Sequence, residues 1–206
     1  NTLLGSIYLL EPEELATIEP LLTAEQGSND LKVKWIKSSN KTLYNFEIEK
    51  DWLRFSTGVV QAIYHLIHAF TAEDDAILIQ TPVYYPFANA IRDSGRQLIN
   101  VDLKNENGYF TIAFDRFEEA VIQHQVKMYL HCSPHNPVGR VWTEEESVRL
   151  LEICRKHKVL VISDEIHQDF TYGHHHIPTA VLEGGRYRDQ TITLNSASKS
   201  FNIAGL

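Results

Sequence analysis

The most constraining feature of this chain is the run Val159-Leu160-Val161-Ile162-Ser163, which is almost entirely apolar. A strand without polar alternation is buried on both faces, as in a parallel sheet that helices cover on each side. Other short runs of strand-forming residues recur along the chain, and stretches with helical spacing separate them. Strands that alternate with helices in this way predict an α/β fold, doubly wound, with a mostly parallel sheet and helices on both faces.

Hydrophobic periodicity and turn residues give approximate bounds for these elements. The predicted strands are Leu53–Ser56, Ala76–Gln80, Gln97–Leu103, Lys127–Cys132, Val159–Ser163 and Thr191–Leu194. The predicted helices cover about Leu31–Ser38, Gly58–Phe70, Pro82 to near Gly95, Asp115–His124 and Thr143–His157, the last opening with a capping box of Thr143 and Glu146. We also expect a helix start at Glu11-Pro12, a loop at Gln26–Asp30 and a turn at Lys104–Gly108.

The first part of the chain is less regular than the remainder. We therefore predict an N-terminal segment, partly helical, at residues 1–44, and a large α/β domain at residues 45–206. The boundary is soft and lies near Asn45.

Composition narrows the classes of partner. The 206 residues carry a formal net charge of -8, and no block of basic residues suggests a nucleic-acid partner. No apolar run approaches the roughly 20 residues that span a membrane, and the apolar stretch Leu3–Leu10 lacks the basic lead-in of a secretory signal. Cys132 and Cys154 lie in apolar segments, so we expect buried free thiols, which fit a cytoplasmic location.

The candidate site residues follow the predicted strands. In open α/β sheets, ligands bind outside the carboxyl ends of the strands. Five strand ends supply a helix N-terminus, an aromatic pair, an amide, an acid, and a lysine among serines: Gly58-Val59-Val60, Tyr84-Tyr85, Asn136, Asp164, and Ser196, Ser198 and Lys199. A lysine can form a Schiff base with an aldehyde, and backbone N–H groups with hydroxyls can hold a phosphate. Together these groups suit a charged, planar, phosphorylated aldehyde.

Each of these residues also has a purely structural interpretation. Lys199 could be a solvated loop lysine, Asn136 a turn residue, and Asp164 a helix N-cap. Gly58 could be a turn glycine, and Tyr84 a core aromatic. The run His174-His175-His176 suggests a metal, but it lacks the spacing of a tetrahedral or helical site, so we predict no metal.

Four strings of residues resemble the fold type I pyridoxal-phosphate enzymes of the aspartate aminotransferase superfamily (class I/II). They are Thr81–Phe87, Ser133–Trp142, Ser163–His167 and Ser198–Leu206, and they follow one another in family order over most of the chain. Within that superfamily the chain most resembles the MalY/PatB branch of cystathionine β-lyases and C–S lyases. The resemblance implies a pyridoxal 5'-phosphate cofactor, a small amino-acid substrate and a homodimer.

The resemblance also implies roles for individual residues. Lys199 would form a Schiff base with the cofactor and then move the substrate's protons, and Asp164 would pair with the pyridinium nitrogen. Asn136 would bond the ring's 3-oxygen and Tyr84 would stack on the ring. The phosphate would be held by the N–H groups of Val59 and Val60 and the hydroxyls of Ser196 and Ser198. His167 stands where related aminotransferases often carry a tyrosine, and whether it contacts the cofactor stays open.

The same resemblance implies alternatives in activity. A C–S β-lyase would release thiol, pyruvate and ammonia from a sulfur amino acid, whereas an aminotransferase would use the same residues to move the amino group. A non-catalytic regulator on the same fold is the third alternative. The resemblance further implies a C-terminal small domain with a carboxylate-binding arginine beyond Leu206, and Tyr8 does not match the family's N-terminal tyrosine.

Overall fold

A seven-stranded sheet organises the computed structural model, which describes residues 5–8 and 29–202. Its strands in chain order are β1 (Gly5–Tyr8), β2 (Leu53–Ser56), β3 (Ala76–Ile79), β4 (Gln97–Asn100), β7 (Met128–Cys132), β8 (Leu160–Asp164) and β9 (Thr191–Asn195). A separate hairpin joins β5 (Lys104–Glu106) to β6 (Tyr109–Thr111).

The order across the sheet is β2-β1-β9-β8-β7-β3-β4. The pairs from β9 through β8, β7 and β3 to β4 are parallel, whereas β1 lies antiparallel to both of its neighbours. The predicted α/β fold with a mostly parallel sheet is confirmed. Strand β1 lies between β2 and β9, so one strand of the N-terminal segment is part of the sheet. The boundary near Asn45 between that segment and the large domain stays a prediction.

Helices cover both faces of the sheet. They are α1 (Asn29–Tyr44), α2 (Val59–Phe70), α3 (Pro86–Asp93), α4 (Phe114–Gln123), α5 (Glu144–Lys156) and α6 (Ala197–Ser200). Short 3-10 turns occur at Lys50–Trp52, Thr179–Val181 and Arg188–Gln190, and an irregular helical turn occurs at Leu182–Gly185. Among the described residues, no helix is both long enough and apolar enough to cross a membrane.

The two faces of the sheet carry separate apolar layers, because successive strand residues point to opposite sides. Leu130 and Ile162 pack with α2 and α3 on one face, and Tyr129 and Val161 pack with α4 and α5 on the other. A third cluster joins α1 to the segment that leads into β2, through Val33, Ile36, Phe46, Ile48, Leu53 and Ala180. The helices therefore hold the strands, and so the strand ends, in fixed positions.

Several predicted bounds were wrong. The helix predicted from Pro82 begins at Pro86, because a helix that began earlier would need the carbonyl of Pro82 to accept from the nitrogen of Pro86, which carries no hydrogen. The Pro82 carbonyl instead accepts from His135 Nε2 at 3.0 Å. The first described helix runs to Tyr44 rather than ending near Ser38.

The turn predicted at Lys104–Gly108 is in fact the first half of the β5–β6 hairpin. Asn107 and Gly108 form its tip with φ of 54° and 91°, the left-handed pair that a two-residue hairpin loop requires. The helix start expected at Glu11-Pro12 and most of the loop expected at Gln26–Asp30 lie outside the described residues.

Candidate functional site

A cavity of about 420 Å³ opens at the carboxyl ends of the parallel strands, within the span of roughly 300–1,000 Å³ typical of small-molecule sites. Seven of the nine predicted site residues line it: Val59, Val60, Tyr84, Asn136, Asp164, His167 and Lys199. Ser196 and Ser198 do not line it. Thr57, Gly58, Gln61, Cys132 and Ile166 complete the lining.

The register of the sheet explains why these residues meet. Cys132 of β7 pairs with Asp164 of β8, and Asp164 pairs with Leu194 of β9, so the three strands end level with one another. Two backbone bonds continue this alignment beyond the strands, from Ser133 N to Asp164 O at 3.0 Å and from Glu165 N to Leu194 O at 2.8 Å. The segments that carry Asn136, Asp164 and Lys199 therefore leave the sheet side by side.

Asp164 is the last residue of β8 and is 5% exposed. Its Oδ1 accepts from Ile166 N at 3.1 Å, and a turn follows rather than a helix, so the N-cap interpretation is wrong. Burial raises the pKa of the Asp164 carboxyl to about 7, with the Glu165 charge acting in the same direction and the Ile166 N–H and Lys199 opposing it. A cation bound in the cavity would relieve this cost.

Lys199 lies on α6, a single helical turn that follows β9 directly. Its side chain is exposed at the cavity, and it makes no hydrogen bond or ion pair with other residues of the described ranges. The helix is capped by Ser196, whose Oγ accepts from Ser198 N at 3.2 Å and donates to Ser198 Oγ at 3.0 Å. The amine is thus presented to the cavity by a capped turn.

The segment after β7 carries Asn136 above a buried thiol. The backbone N–H of Asn136 donates to Cys132 Sγ at 3.3 Å, and the Cys132 carbonyl accepts from Trp142 Nε1 at 3.0 Å. Burial raises the pKa of the Cys132 thiol well above its ordinary value, so the thiol stays neutral. Cys132 and Cys154 are both buried and free, as predicted.

The N-terminus of α2 faces the cavity. Gly58 is its N-cap and supplies no side-chain cap, and no acidic residue stands in the first turn. The N–H groups at the start of any helix lack partners within it, and the helix dipole adds positive potential there. Val59 and Val60 are therefore placed to hold an anionic group.

Two aromatic side chains, Tyr84 and His167, line the cavity. Tyr84 is partly buried, with ring centroids 5.6 Å from Tyr85 and 6.3 Å from Phe87, and burial raises the pKa of its hydroxyl. Burial, with the nearby Lys199 charge, lowers the pKa of His167, which keeps its imidazole neutral near pH 7. Tyr84 is thus a lining residue rather than a core aromatic.

Sequence reasoning missed a buried pair beside this site. Glu165 is fully buried and its Oε2 lies 3.0 Å from His176 Nε2, while His174 and His175 are exposed. No group of three or more metal-ligating side chains occurs in the described part of the chain. The signals that could have revealed the pair were a second carboxylate after β8 and a histidine run followed by the apolar Ile177.

Comparison with known proteins identifies the family. A family model described as aminotransferase class I and II matches residues 26–206. Cystathionine beta-lyase PatB of Bacillus subtilis is 36% identical over 185 residues, which are 89% of this chain and 46% of that protein. Aspartate aminotransferase of the same organism is 32% identical over 162 residues, which are 78% of this chain and 40% of that protein.

Solved structures agree with the sequence comparison. Cystalysin from Treponema denticola, whose crystal structure contains a pyridoxal 5'-phosphate cofactor, matches with a TM-score of 0.83 and 34% identity over 95% of this chain and 50% of that chain. The chain spans about half the length of the relatives it matches. The resemblance predicted from the four motifs is confirmed, and the chain belongs to the class I and II aminotransferase family.

Proposed function

We propose that this protein is a pyridoxal 5'-phosphate-dependent C–S β-lyase of the cystathionine β-lyase type, which cleaves a sulfur amino acid to thiol, pyruvate and ammonia. The observation that carries the proposal is the occurrence, in one cavity, of a buried carboxyl group and an exposed lysine that has no side-chain partner among the described residues. The similarity to the cystathionine beta-lyase PatB supports the lyase reaction, and the similarity to cystalysin, whose structure contains pyridoxal 5'-phosphate, supports the cofactor.

The residues of the cavity fit this cofactor. Asp164 would accept the hydrogen of a pyridinium nitrogen, and that cation would offset the cost that burial places on the carboxylate. The N–H groups of Val59 and Val60 would hold the phosphate. Asn136 would donate to the ring's 3-oxygen, and Tyr84 would cover one face of the ring. Among these groups His167 is proposed as a neutral lining residue.

The two serines have unequal roles in this proposal. Ser196 donates its hydroxyl hydrogen to Ser198 Oγ, which leaves the hydroxyl hydrogen of Ser198 available to a phosphate oxygen. Ser196 would then act on the phosphate mainly through Ser198 and by capping α6. Ser198 is therefore the proposed direct phosphate contact, and Ser196 is the proposed indirect one.

When bound, pyridoxal phosphate supplies a ring that stabilises negative charge at the α-carbon of the substrate. Lys199 Nζ, unpaired within the described ranges and at the cavity, would hold the cofactor and, once displaced by the substrate amine, take the α-proton. Asp164 would keep the proton on the ring nitrogen throughout. Tyr84 and Ile166 would keep water away from the reacting carbon.

Aminotransferase activity is the second candidate, because the same residues would serve it and aspartate aminotransferase of Bacillus subtilis is 32% identical. A non-catalytic regulator is a third candidate, but Lys199 and Asp164 would then have no evident use. We further propose residues 45–206 as the cofactor-binding domain, a homodimer as the working state, and the cytoplasm as the location, to which the two free buried thiols are suited.

The lyase proposal is tested on the complete protein with cystathionine as substrate. The release of pyruvate and thiol is measured beside amino-group transfer to a keto acid. We expect release without transfer. Transfer without pyruvate would replace the lyase with the aminotransferase, and neither reaction in cofactor-loaded protein would favour the regulator.

A further inference from the structure

Glu165 is a fully buried carboxylate that does not face the cavity. It follows Asp164 at the end of β8, and because successive residues of an extended segment point to opposite sides, the two carboxyl groups diverge. Burial of a charge is costly unless hydrogen bonds satisfy it. The hydrogen-bond partners of Glu165 therefore indicate its role.

Three donors surround the Glu165 carboxyl group. Oε1 accepts from Ser163 Oγ at 2.8 Å and from Thr179 N at 2.9 Å, and Oε2 accepts from His176 Nε2 at 3.0 Å. Thr179 Oγ1 also lies 2.8 Å from Ser163 Oγ. The carboxyl group thus joins the end of β8 to the segment that returns to the core at residues 176–179.

His176 is 2% exposed, so it is as fixed as its partner. Its ring stands edge-on to Tyr44 at the end of α1, with centroids 6.1 Å apart. Two histidines directly before it are exposed, which shows that the chain turns inward at this residue. The imidazole therefore fills a defined place between α1 and the end of β8.

The backbone on which Asp164 depends is held by the same residue. Glu165 N donates to Leu194 O at 2.8 Å, Gln168 N donates to Glu165 O at 2.9 Å, and Ile166 N donates to Asp164 Oδ1 at 3.1 Å. If the side chain of Glu165 lost its partners, the turn that aligns these three bonds would be free to rotate. The aim of the Asp164 carboxyl group into the cavity would change with it.

We propose that Glu165 and His176 form a positioning pair that holds Asp164 toward the ring nitrogen of the cofactor. This role rests on the proposed function, since it presumes a cationic ring in the cavity. The pair touches neither the substrate nor the cofactor, and it acts through the backbone of the turn and through the charge that Glu165 places beside Asp164.

The first test uses complete protein loaded with pyridoxal phosphate that is ¹⁵N-labelled in its ring. The variants are Glu165→Gln and His176→Gln, and the control is Tyr187→Phe, which removes a bond from a buried tyrosine to Glu152 elsewhere in the fold. We expect the ring nitrogen signal to move from the protonated toward the neutral position in both variants, with a loss of cofactor affinity of roughly 10-fold or more, as when a partner that orients a binding group is removed. The control should keep the wild-type signal.

Stability is measured for the same proteins by urea unfolding. If Glu165→Gln and His176→Gln lose stability but keep the wild-type nitrogen signal and affinity, the pair is a fold element only and the inference is wrong. Should one variant fail to fold, the other supports or overturns the inference, because each changes one partner of the same bond.

A second test separates failure of the inference from failure of the proposed function. The carboxyl carbon of Asp164 is titrated by NMR in cofactor-free protein. Glu165→Gln should lower the titration midpoint of Asp164, because the neighbouring charge is lost, and Tyr187→Phe should leave it unchanged. If wild-type protein binds no pyridoxal phosphate, the proposed function fails, and this titration still supports or overturns the coupling of Glu165 to Asp164.

Discussion

Asp164 is a carboxyl group in a place that disfavours its charge. Burial at the end of β8 raises its pKa to about 7, and among the described residues the N–H of Ile166 and the charge of Lys199 oppose that effect. A structural carboxylate of this kind would be expected to have a cation in contact. The arrangement instead suits a group that gains its partner when a ligand binds, as functional residues with displaced pKa values often do.

This displacement predicts how the stability of cofactor-free protein depends on pH. The folded pKa of Asp164 lies above the value of about 3.9 expected in the unfolded chain. The folded state therefore binds more protons, its stability contribution is full below the unfolded pKa, and it is lost as pH rises through about 7. Relative to Asp164→Asn, the wild-type free energy of unfolding should fall by roughly 2–3 kcal/mol from about pH 5 to about pH 8.

Urea unfolding of both proteins across that pH range measures the difference, and the Asn variant cancels the titration of the other groups. Asn keeps the oxygen that accepts from Ile166 N, so the turn itself is retained. A difference that does not change with pH would show that Asp164 ionises as freely in the folded protein as in the unfolded one.

Variants of Lys199 and of Asp164, the two residues central to the proposed chemistry, should differ in which step they impair. Lys199→Ala should abolish the borohydride-reducible bond to pyridoxal phosphate, because the amine that forms it is gone. Asp164→Asn should keep that bond but lower kcat by roughly 100-fold or more, because an electrostatic partner of the ring is lost. Lys156→Ala, at an exposed lysine paired with Glu118, is the control.

Absorbance spectra before and after borohydride follow the covalent bond, and kinetics of pyruvate release give the rate. Full activity in Lys199→Ala would remove the lysine from the site. Full activity in Asp164→Asn would mean that the ring nitrogen needs no anionic partner.

Among the elements, the helices differ in how their N-termini are capped. Helix α2 offers bare N–H groups behind Gly58, and α6 is a single turn that Ser196 caps. Helix α5 is different, because Thr143 and Glu146 form a full capping box: Thr143 Oγ1 accepts from Glu146 N at 3.1 Å, and Glu146 Oε2 accepts from Thr143 N at 2.9 Å.

The capping box predicts the effect of its removal. Thr143→Ala should lower the free energy of unfolding by about 1 kcal/mol, within the 0.5–2 kcal/mol that such caps usually contribute. Thr143→Ser keeps the hydroxyl and should stay close to wild type. Urea unfolding monitored by circular dichroism measures both, and equal losses in the two variants would assign the effect to the methyl group instead.

Elements with strong local signals were predictable, and those that depend on distant partners were not. The capping box, the apolar strand β8 and the helix after Gly58 were each found close to their predicted bounds. A turn that includes Asn107 and Gly108 was predicted, but the two strands that it joins were missed because they are short and largely exposed. The start of α3 was misplaced because both Pro82 and Pro86 suit the first position of a helix. In the folded protein the carbonyl of Pro82 accepts from His135 Nε2, and the helix begins at Pro86.

At the scale of the molecule, the sheet separates two apolar layers, one on each of its faces. Ile162 stands in the middle strand, is 1% exposed, and packs in the layer under α2 and α3. Ile162→Ala should lower the free energy of unfolding by about 2–5 kcal/mol, and Ile162→Val by about 0.5–1.5 kcal/mol, since the cavity left behind grows with the atoms removed.

Urea unfolding at a pH well below the folded pKa of Asp164 measures this loss without interference from that group. The two variants should share the wild-type m-value, because the same surface is exposed on unfolding. A loss for Ile162→Ala no larger than that for Ile162→Val would mean that the layer closes around the missing atoms.

The sequence by itself determined the alternation of apolar strands and helices, and therefore an α/β sheet whose strand ends carry Lys199, Asp164, Asn136, Tyr84 and the start of α2. Those features are local: they depend on residue type and on spacing within a few positions. Only the tertiary structure decided that seven of the nine predicted residues share one cavity, that Ser196 and Ser198 cap a helix beside it, and that Glu165 turns away to meet His176. Burial, strand register and contacts between segments far apart in the chain set these outcomes. Neither the amino-acid composition nor the spacing of apolar residues specifies such contacts.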